Sequence, residues 1–308
     1  MATITAADVN KLRTITGAGM MDCKKALVEA EGDFEKAVDI LRKKGQKVAA
    51  NRADRESTEG AVIARVNEDN TLGAVISLNC ETDFVAKNDA FQAFAKDTAN
   101  VAVDGNIGDI EALLNAKGPT GTIKDAISDL TIKIGEKIDV RRVSLLKLEG
   151  NGMIGSYVHS GKIGVIVALG ADKDVAGNEA FVELSKDISM HIAAANPQFL
   201  SASEIDEDYK NKEAEIYAAQ LKEQGKPEAM IPNIVKGKLA KLASEVCLLE
   251  QSFVKDPDTT IGKLIDSVSA KVGAKINVQK FIKLNLGEGV EKKSENFAEE
   301  IAKITGQN

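Results

Sequence analysis

The chain repeats one pattern of residues in its two halves, and this duplication constrains its fold more than any other feature. Residues 72–78, an apolar run, return as residues 163–169. Two further matches follow in the same order. Ala90-Phe91 and Lys96-Asp97 correspond to Ala180-Phe181 and Lys186-Asp187. Residues 133–140 correspond to residues 271–278. A shared order at similar spacing indicates two copies of one structural unit.

Each copy is predicted to form a hairpin of two strands, then a helix, variable helical segments and a closing strand. The turn of the hairpin is polar in both copies, at residues 67–70 in the first and 160–162 in the second, between β-branched runs. This combination is a sequence signal of a β-hairpin. Antiparallel strands with helices on one face place the chain in the α+β class.

The second copy is longer than the first by one helix-forming segment. Asp97 and Lys133 lie 36 positions apart, whereas their counterparts Asp187 and Lys271 lie 84 apart. The extra residues fall at about 201–244, which are rich in good helix formers and are interrupted at Gly225. We expect an antiparallel helical hairpin, a coiled coil that serves as a spacer, a dimer contact or a partner grip.

A small bundle of three helices is predicted ahead of the duplicated core. Thr5 can cap a first helix whose apolar stripe includes Leu12 and Ile15, and two glycines follow that helix. Gly32 ends a second helix and Asp33 caps a third. Three helices in about 45 residues give a unit that is marginally stable alone.

Met20 and Met21 are adjacent at the start of the second of these helices. A methionine can fill a core or provide an adaptable docking surface. Neighbouring residues on a helix cannot both face one core, because they point about 100° apart. This favours a docking role for the pair.

Direct binding to nucleic acid is not expected. Residues 43–56 are polar and basic, but no aromatic residue is interleaved among them, so a linker with partial helix is favoured over a nucleic-acid arm. The whole chain carries 40 basic and 47 acidic residues, a net charge of −7. Phosphate neutralisation requires basic clusters, so this balance suits a protein partner better.

The connection after the strand at 72–78 differs between the copies. In the first copy it contains Asp83 beside Phe84, followed by Val85-Ala86. The second copy has Val175-Ala176 in register with that pair, and Asp174 then stands in the place of Phe84. Phe84 is either a core residue at a helix start or a contact with a partner. Because the second copy dispenses with an aromatic residue there, the contact is favoured.

The residues that an enzyme needs are missing. We find no phosphate-binding loop, no dinucleotide fingerprint and no Gly-x-Ser-x-Gly elbow. Of the two histidines, His191 lies in an apolar helix and is expected in the core. His159 lies at a hairpin turn, where it is either solvated or in contact with a partner. We expect no enzymatic activity, no cofactor and no metal.

Compartment signals point to the cytoplasm. The three cysteines, at 23, 80 and 247, are far apart in sequence, which favours reduced thiols over a disulfide framework or a zinc site. The first residues lack the basic and apolar regions of a signal peptide. No run approaches 18 apolar residues, so we expect no membrane span.

Five strings of residues, in order over nearly the whole chain, resemble the bacterial elongation factor Ts family. They lie at residues 16–27, 82–87, 155–159, 191–194 and 287–292. The first reads TGAGMMDCKKAL, and the second reads TDFVAK. Residues 105–121 and the predicted hairpin match no such string, so hairpin contacts and a homodimer or 2:2 complex with a partner stay open.

The resemblance implies a guanine nucleotide exchange factor for elongation factor Tu, which releases GDP by disturbing the Mg²⁺ and phosphate site of that GTPase. It also implies a ubiquitin-associated-like (UBA-like) bundle and a short C-terminal helical module. The residues that match the family's Mg²⁺-displacing string are Thr82, Asp83, Phe84 and Val85. Those that match partner-binding positions are Arg13, Met20, Met21 and His159.

The domain limits that we predict are 1–56 for the bundle, 57–149 and 150–287 for the two core subdomains, and 288–308 for the C-terminal module. The alternative function is a non-catalytic ubiquitin-like-binding or scaffold protein, motivated by the bundle and by the missing catalytic residues.

Overall fold

The structure is a computed structural model that describes residues 4–51 and 55–289. The chain begins with a bundle of three helices, α1 (Ala6–Thr16), α2 (Met20–Glu29) and α3 (Phe34–Asn51). Thr5 caps α1 as predicted, in a capping box with Asp8, and Gly17 ends α1 in the left-handed conformation at φ 68°.

The two halves of the core follow one order of elements. The first half contains β1 (Glu59–Val66), β2 (Leu72–Cys80), α4 (Asp83–Ala86), α5 (Asp89–Asp104), α6 (Ile110–Asn115), β3 (Lys117–Gly118), β4 (Gly121–Thr122), α7 (Ile123–Ile134) and β5 (Ile138–Lys147). The second half contains β6 (Asn151–His159), β7 (Ile163–Ala171), α8 (Glu179–Ala195), α9 (Glu207–Glu223), α10 (Ile231–Val246), β8 (Ser252–Phe253), β9 (Asp256–Thr260), α11 (Ile261–Val272) and β10 (Ile276–Asn285).

Each half forms an antiparallel sheet of three strands, in the orders β1–β2–β5 and β10–β7–β6. The hairpin supplies two strands, and the closing strand pairs with the second of them in both halves. The predicted α+β class and the predicted hairpins are therefore confirmed. A small two-stranded ribbon also recurs, β3–β4 in the first half and β8–β9 in the second, and the sequence comparison missed it.

The two sheets pack face to face, and the helices cover their outer faces. The layer between the sheets is aliphatic and includes Val62 and Val75 from the first half, and Ile154 and Ile166 from the second. The outer layers contain the apolar sides of α5 and α8, with Phe91 and Phe181 fully buried. The face of each sheet that carries no helix is thus buried against the other sheet.

Glycines at equivalent positions allow the sheets to approach. A Cβ atom on Gly73 would lie 2.8 Å from Cγ2 of Ile154, and one on Gly164 would lie 2.5 Å from Cγ1 of Val62. Both glycines are the second residue of the middle strand of their sheet.

The bundle rests on α7 of the first half. Ile132 of α7 packs against the core of the bundle, and Gly45 of α3 is buried against the Ile132 side chain. Of the linker with partial helix predicted at residues 43–56, the helical part is confirmed, because α3 continues to Asn51.

The predicted insertion is a pair of helices, α9 and α10, that pack against each other. The helix α10 reaches Val246, two residues beyond the predicted limit. The buried residues of the pair are Leu221 of α9, and Ile231 and Leu242 of α10. Ile216 of α9 is 47% exposed. His191 is buried at the base of this pair, as predicted, and its Nε2 lies 3.0 Å from Oε1 of Gln251.

The predicted C-terminal module lies outside the described residues, apart from Glu288 and Gly289. Within residues 4–51 and 55–289, no helix has the length and apolarity that a membrane crossing requires.

Candidate functional site

The connection between β2 and α5 divides its residues between core and solvent. Val85 is 9% exposed and contributes to the core of the first half, whereas Phe84 is 81% exposed. Thr82 is half-buried and caps the short helix α4, accepting a hydrogen bond from the Val85 N–H at 3.4 Å. The sequence grouped these residues in one string, but the structure assigns anchoring to Thr82 and Val85 and exposure to Asp83 and Phe84.

Thr82 is held by three hydrogen bonds from outside α4. Its backbone N–H donates to Oε2 of Glu136 at 3.0 Å, and its hydroxyl donates to Oε1 of Glu136 at 2.7 Å. The Cys80 thiol donates to the Thr82 carbonyl oxygen at 3.2 Å. Burial, and then the negative charge of Glu136, raise the pKa of the Cys80 thiol to about 12, so it remains a protonated donor.

Glu81 attaches the same connection to two other parts of the chain. Its Oε1 accepts from the backbone N–H of Lys137 at 2.6 Å, and its Oε2 accepts from the Arg55 guanidinium at 3.0 Å. Arg55 belongs to the segment that arrives from the bundle. The base of the Asp83–Phe84 pair is therefore tied both to the start of β5 and to the segment after α3.

Asp83 forms an exposed ion pair with Lys87, whose Nζ lies 2.7 Å from Oδ2. The hydrogen bond from Lys87 lowers the pKa of Asp83, and the pKa of Lys87 is raised in return. The carboxylate is thus charged at neutral pH. Because exposed ion pairs contribute little to stability, Asp83 can exchange Lys87 for another polar partner at small cost.

The corresponding connection in the second half is simpler. Between β7 and α8 there are seven residues, 172–178, against eight between β2 and α5, and these seven contain no helix. Oδ1 of Asp172 accepts from the backbone N–H of Lys275 at 2.9 Å, the counterpart of the Glu81–Lys137 bond. Ala274, 5% exposed, stands where the first half has Glu136. The first half therefore adds a residue, a helical turn and a carboxylate support.

The bundle exposes both members of the methionine pair, Met20 at 44% and Met21 at 63%. Core filling is excluded for both, and Arg13 on α1 is also exposed. The expectation that Ile15 faces the core was wrong, because it is 62% exposed. It lines a cleft of about 320 Å³ between the bundle and α7, whose walls include Arg42 and Asp129.

His159 is exposed at the end of β6, where its ring stacks on Tyr157 and its Nδ1 lies 3.1 Å from the tyrosine hydroxyl. The adjoining turn lies against β1, since the Val62 N–H donates to the Gly161 oxygen at 2.8 Å. Glu59 pairs with Lys162 of that turn at 3.7 Å. The side-chain hydrogen bond and charge of Asp83 raise the pKa of Lys87, and the charge of Glu59 adds to this effect.

In the part of the chain that the structure describes, no group of three His, Cys, Asp or Glu side chains is arranged to hold a metal ion. Fold and site together define a duplicated α+β protein with an exposed Asp–Phe pair on one connection and an exposed methionine pair on an N-terminal bundle.

Comparison with known proteins finds relatives over nearly the whole chain. Residues 81–288 match the family model described as elongation factor TS. An elongation factor Ts of Clostridium perfringens (strain SM101 / Type A) is 46% identical over 306 residues, which cover 99% of this chain and 100% of that protein. One from Clostridioides difficile (strain 630) is 46% identical and covers 98% of this chain, and one from Trichlorobacter lovleyi is 45% identical. The chain belongs to the elongation factor Ts family.

Proposed function

We propose that this protein is the guanine nucleotide exchange factor for elongation factor Tu in translation elongation, and that it acts in the cytoplasm. Membership of the elongation factor Ts family supports the role. The observation that carries the mechanism is the 81% exposure of Phe84 on a connection that is otherwise anchored. An exposed aromatic ring on a fixed support is suited to insertion into a partner.

Docking is proposed to involve two surfaces. The bundle, residues 1–56 and UBA-like in kind, contacts the GTPase through Arg13, Met20 and Met21. His159, in the subdomain of residues 150–287, contacts it again beside the Asp83–Phe84 pair. The bundle is attached to α7, and α7 leads into Glu136, so the first surface is fixed relative to the pair.

The release step is proposed to act on the bound metal. A GTPase holds GDP through backbone donors and through Mg²⁺, which neutralises phosphate charge. Phe84 separates elements of the partner near the nucleotide, and Asp83 leaves Lys87 to disturb the polar network around the ion. Thr82 and Val85 hold the pair in place. Binding of the factor and binding of GDP then weaken each other by the same factor.

Release of labelled GDP from elongation factor Tu, with and without this protein, tests the proposal. We expect release to accelerate with the concentration of the factor until it saturates. The alternative, a non-catalytic ubiquitin-like-binding or scaffold protein, predicts no acceleration. A complex captured from bacterial extract separates the two functions further, because excess GDP dissociates the partner of an exchange factor and leaves a scaffold complex intact.

The helix pair α9–α10 is proposed to be a coiled coil that makes a further contact, either with the partner or with a second copy of the chain. Light scattering of the free protein and of the complex measures whether the chain forms a homodimer or a 2:2 complex.

A further inference from the structure

Glu136 lies 54 positions from Thr82 in sequence and makes two hydrogen bonds with it, at 3.0 and 2.7 Å. It follows Gly135, which ends α7 in the left-handed conformation at φ 86°. The left-handed residue turns the chain sharply at the end of α7. Glu136 is therefore attached to the helix on which the bundle rests, and its carboxylate holds Thr82, the residue that caps α4.

The helix α4 cannot hold this shape alone. It has four residues, and isolated helices shorter than about 12 residues are marginal in water. Phe84 adds no packing, because it is 81% exposed. Three contacts order the turn: Thr82 bonds to Glu136, Val85 is buried in the core of the first half, and the Ala86 carbonyl oxygen accepts from the Gln92 side chain at 2.6 Å.

The second half of the core shows what the same scaffold does without the carboxylate. Ala274 replaces Glu136, and the connection that follows β7 has no helical turn and no exposed aromatic residue. The bond between Asp172 and Lys275 persists there, so the attachment of the connection to the closing strand does not depend on Glu136. The carboxylate and the helical turn occur together in one half and are both missing from the same connection in the other.

We infer that Glu136 is a positioning residue for the exchange reaction, which clamps Thr82 so that Asp83 and Phe84 project in a fixed direction. This inference rests on the proposed function, because projection matters only if the pair enters a partner. Glu136 is assigned no contact of its own with nucleotide or metal. Its effect passes through Thr82.

The free protein allows a test that needs no partner. The chain contains no tryptophan, so Phe84→Trp introduces a single indole at the tip of the connection. Time-resolved anisotropy then reports the order parameter of that indole. We expect this order parameter to fall when Glu136→Ala is added, because the indole then moves with its released backbone as well as about its own side-chain bonds.

Two variants control this experiment. Glu136→Gln keeps an oxygen for the Thr82 N–H and offers an amide N–H to the Thr82 hydroxyl, so we expect the order parameter to be retained. Asp172→Ala removes the acid that holds the corresponding connection of the second half and is expected to leave the indole unaffected. Should Glu136→Ala fail to fold, Thr82→Val removes the hydroxyl side of the same contact and takes its place. An order parameter that neither Glu136→Ala nor Thr82→Val changes overturns the inference.

The second part of the test is the exchange assay, carried out on variants that keep the native Phe84. We expect Glu136→Ala to lower the saturating rate of GDP release by about tenfold, the equivalent of one charge-assisted hydrogen bond, and Glu136→Gln to recover most of it. The half-saturating concentration should change less than twofold, because the bundle still docks. Wild-type release rates with Glu136→Ala contradict the positioning role. A wild-type protein that does not accelerate release, together with the expected anisotropy, instead overturns the proposed function and leaves the clamp supported.

Discussion

Phe84 is large, apolar and almost fully exposed, so the folded state gains little from it. Burial is what makes an aromatic side chain stabilising, and in the proposed mechanism Phe84 is buried only in the complex with the partner. A substitution of Phe84 can therefore change the activity of this protein with little change in its stability.

Phe84→Ala should change the free energy of unfolding by less than about 0.5 kcal/mol, as surface substitutions usually do. It should lower the saturating rate of GDP release by roughly 30-fold, the size of a typical hot-spot loss. Urea unfolding and the release of labelled GDP measure the two effects. Val254→Ala, an apolar residue that is 43% exposed in the second half, serves as control and should change neither. An unaltered rate of GDP release with Phe84→Ala would contradict the proposed insertion of Phe84 into the partner.

Asp83→Ala removes a charge that Lys87 alone holds in the described contacts, so we expect folding to be unaffected and GDP release to slow by about tenfold, as for a lost charge-assisted hydrogen bond. Asp83→Asn removes the negative charge but keeps the shape of the side chain. GDP release with this variant should also be slow if the carboxylate disturbs the metal site. The release rate at a saturating concentration of the factor shows whether charge or shape matters. Normal release with Asp83→Ala removes Asp83 from the mechanism.

His191 gives the fold a dependence on pH. Its Nδ1 accepts from the Val254 N–H at 3.3 Å, so its Nε2 carries the proton that faces Gln251. Burial lowers the pKa of His191 below 6.5, and the bond with Gln251 opposes this effect only in part. The unfolded chain then binds a proton at a higher pH than the folded chain does. This contribution to stability is present above pH 6.5 and is lost as the pH falls through the lower, folded-state pKa.

We therefore expect the free energy of unfolding, measured with urea, to be lower at pH 5.5 than at pH 7.5. The part due to His191 is at most about 1.4 kcal/mol, because pH 5.5 lies one unit below the unfolded-state pKa of 6.5. His191→Asn should destabilise the protein and reduce this dependence. His159→Asn, at an exposed ring, should leave it unchanged. An equal pH dependence in the native chain and in His191→Asn would assign the effect to other groups.

At this scale the sequence predicted more of the site than of its support. Asp83 and Phe84 were identified because the second copy lacks an aromatic residue at that place. Glu136 was missed, although the matched strings at 133–140 and 271–278 already place Glu136 against Ala274. Only the fold shows that this difference lies beside Thr82, since 54 positions separate the two residues.

At the scale of elements, the packing of the two sheets depends on two glycines. Both Gly73 and Gly164 lie where a side chain would enter the layer between the sheets. The hairpin signals in the sequence predicted the strands around them, but periodicity could not show that a second sheet covers the remaining face. The packing of one sheet on the other depends on the shape of the layer between them, and residues from both halves form that layer.

Gly164→Ala should destabilise the protein by about 1–3 kcal/mol, because the added methyl group would meet Val62 and Val75 in a packed layer. Gly237→Ala is the matched control. It lies within α10 in open space, so the same change should stabilise the helix by about 0.5–1 kcal/mol. Thermal unfolding compares the two variants. If both are equally stable, the sheets do not depend on the close approach at Gly164.

At the scale of the whole molecule, the residues proposed for docking and those proposed for release lie on different parts of the chain. The exposed methionines belong to the bundle, and the exposed Asp–Phe pair belongs to the first half of the core. The helix α7 lies between them, with Ile132 on the bundle and Glu136 beyond its end. Affinity and release rate should therefore respond to different substitutions.

The double variant Met20→Ser, Met21→Ser should raise the half-saturating concentration of the factor roughly 30-fold, a typical hot-spot loss, while the saturating rate stays within twofold of wild type. Both side chains are exposed, so the bundle should remain folded. Calorimetry of the complex, alongside the release assay, measures the change. Undiminished affinity would mean that the bundle does not dock through this pair.

The contacts of Gly73 and Gly164 are reciprocal. Gly73 faces Ile154 and Ile166, and Gly164 faces Val62 and Val75, which are the same positions in the other copy. Such reciprocity is the signature of a two-fold isologous interface between identical subunits. The centre of this core has the form of a homodimer contact enclosed within one polypeptide. Fusion of two subunits would free each to diverge, and one half now bears the projecting pair while the other bears the long helical arm.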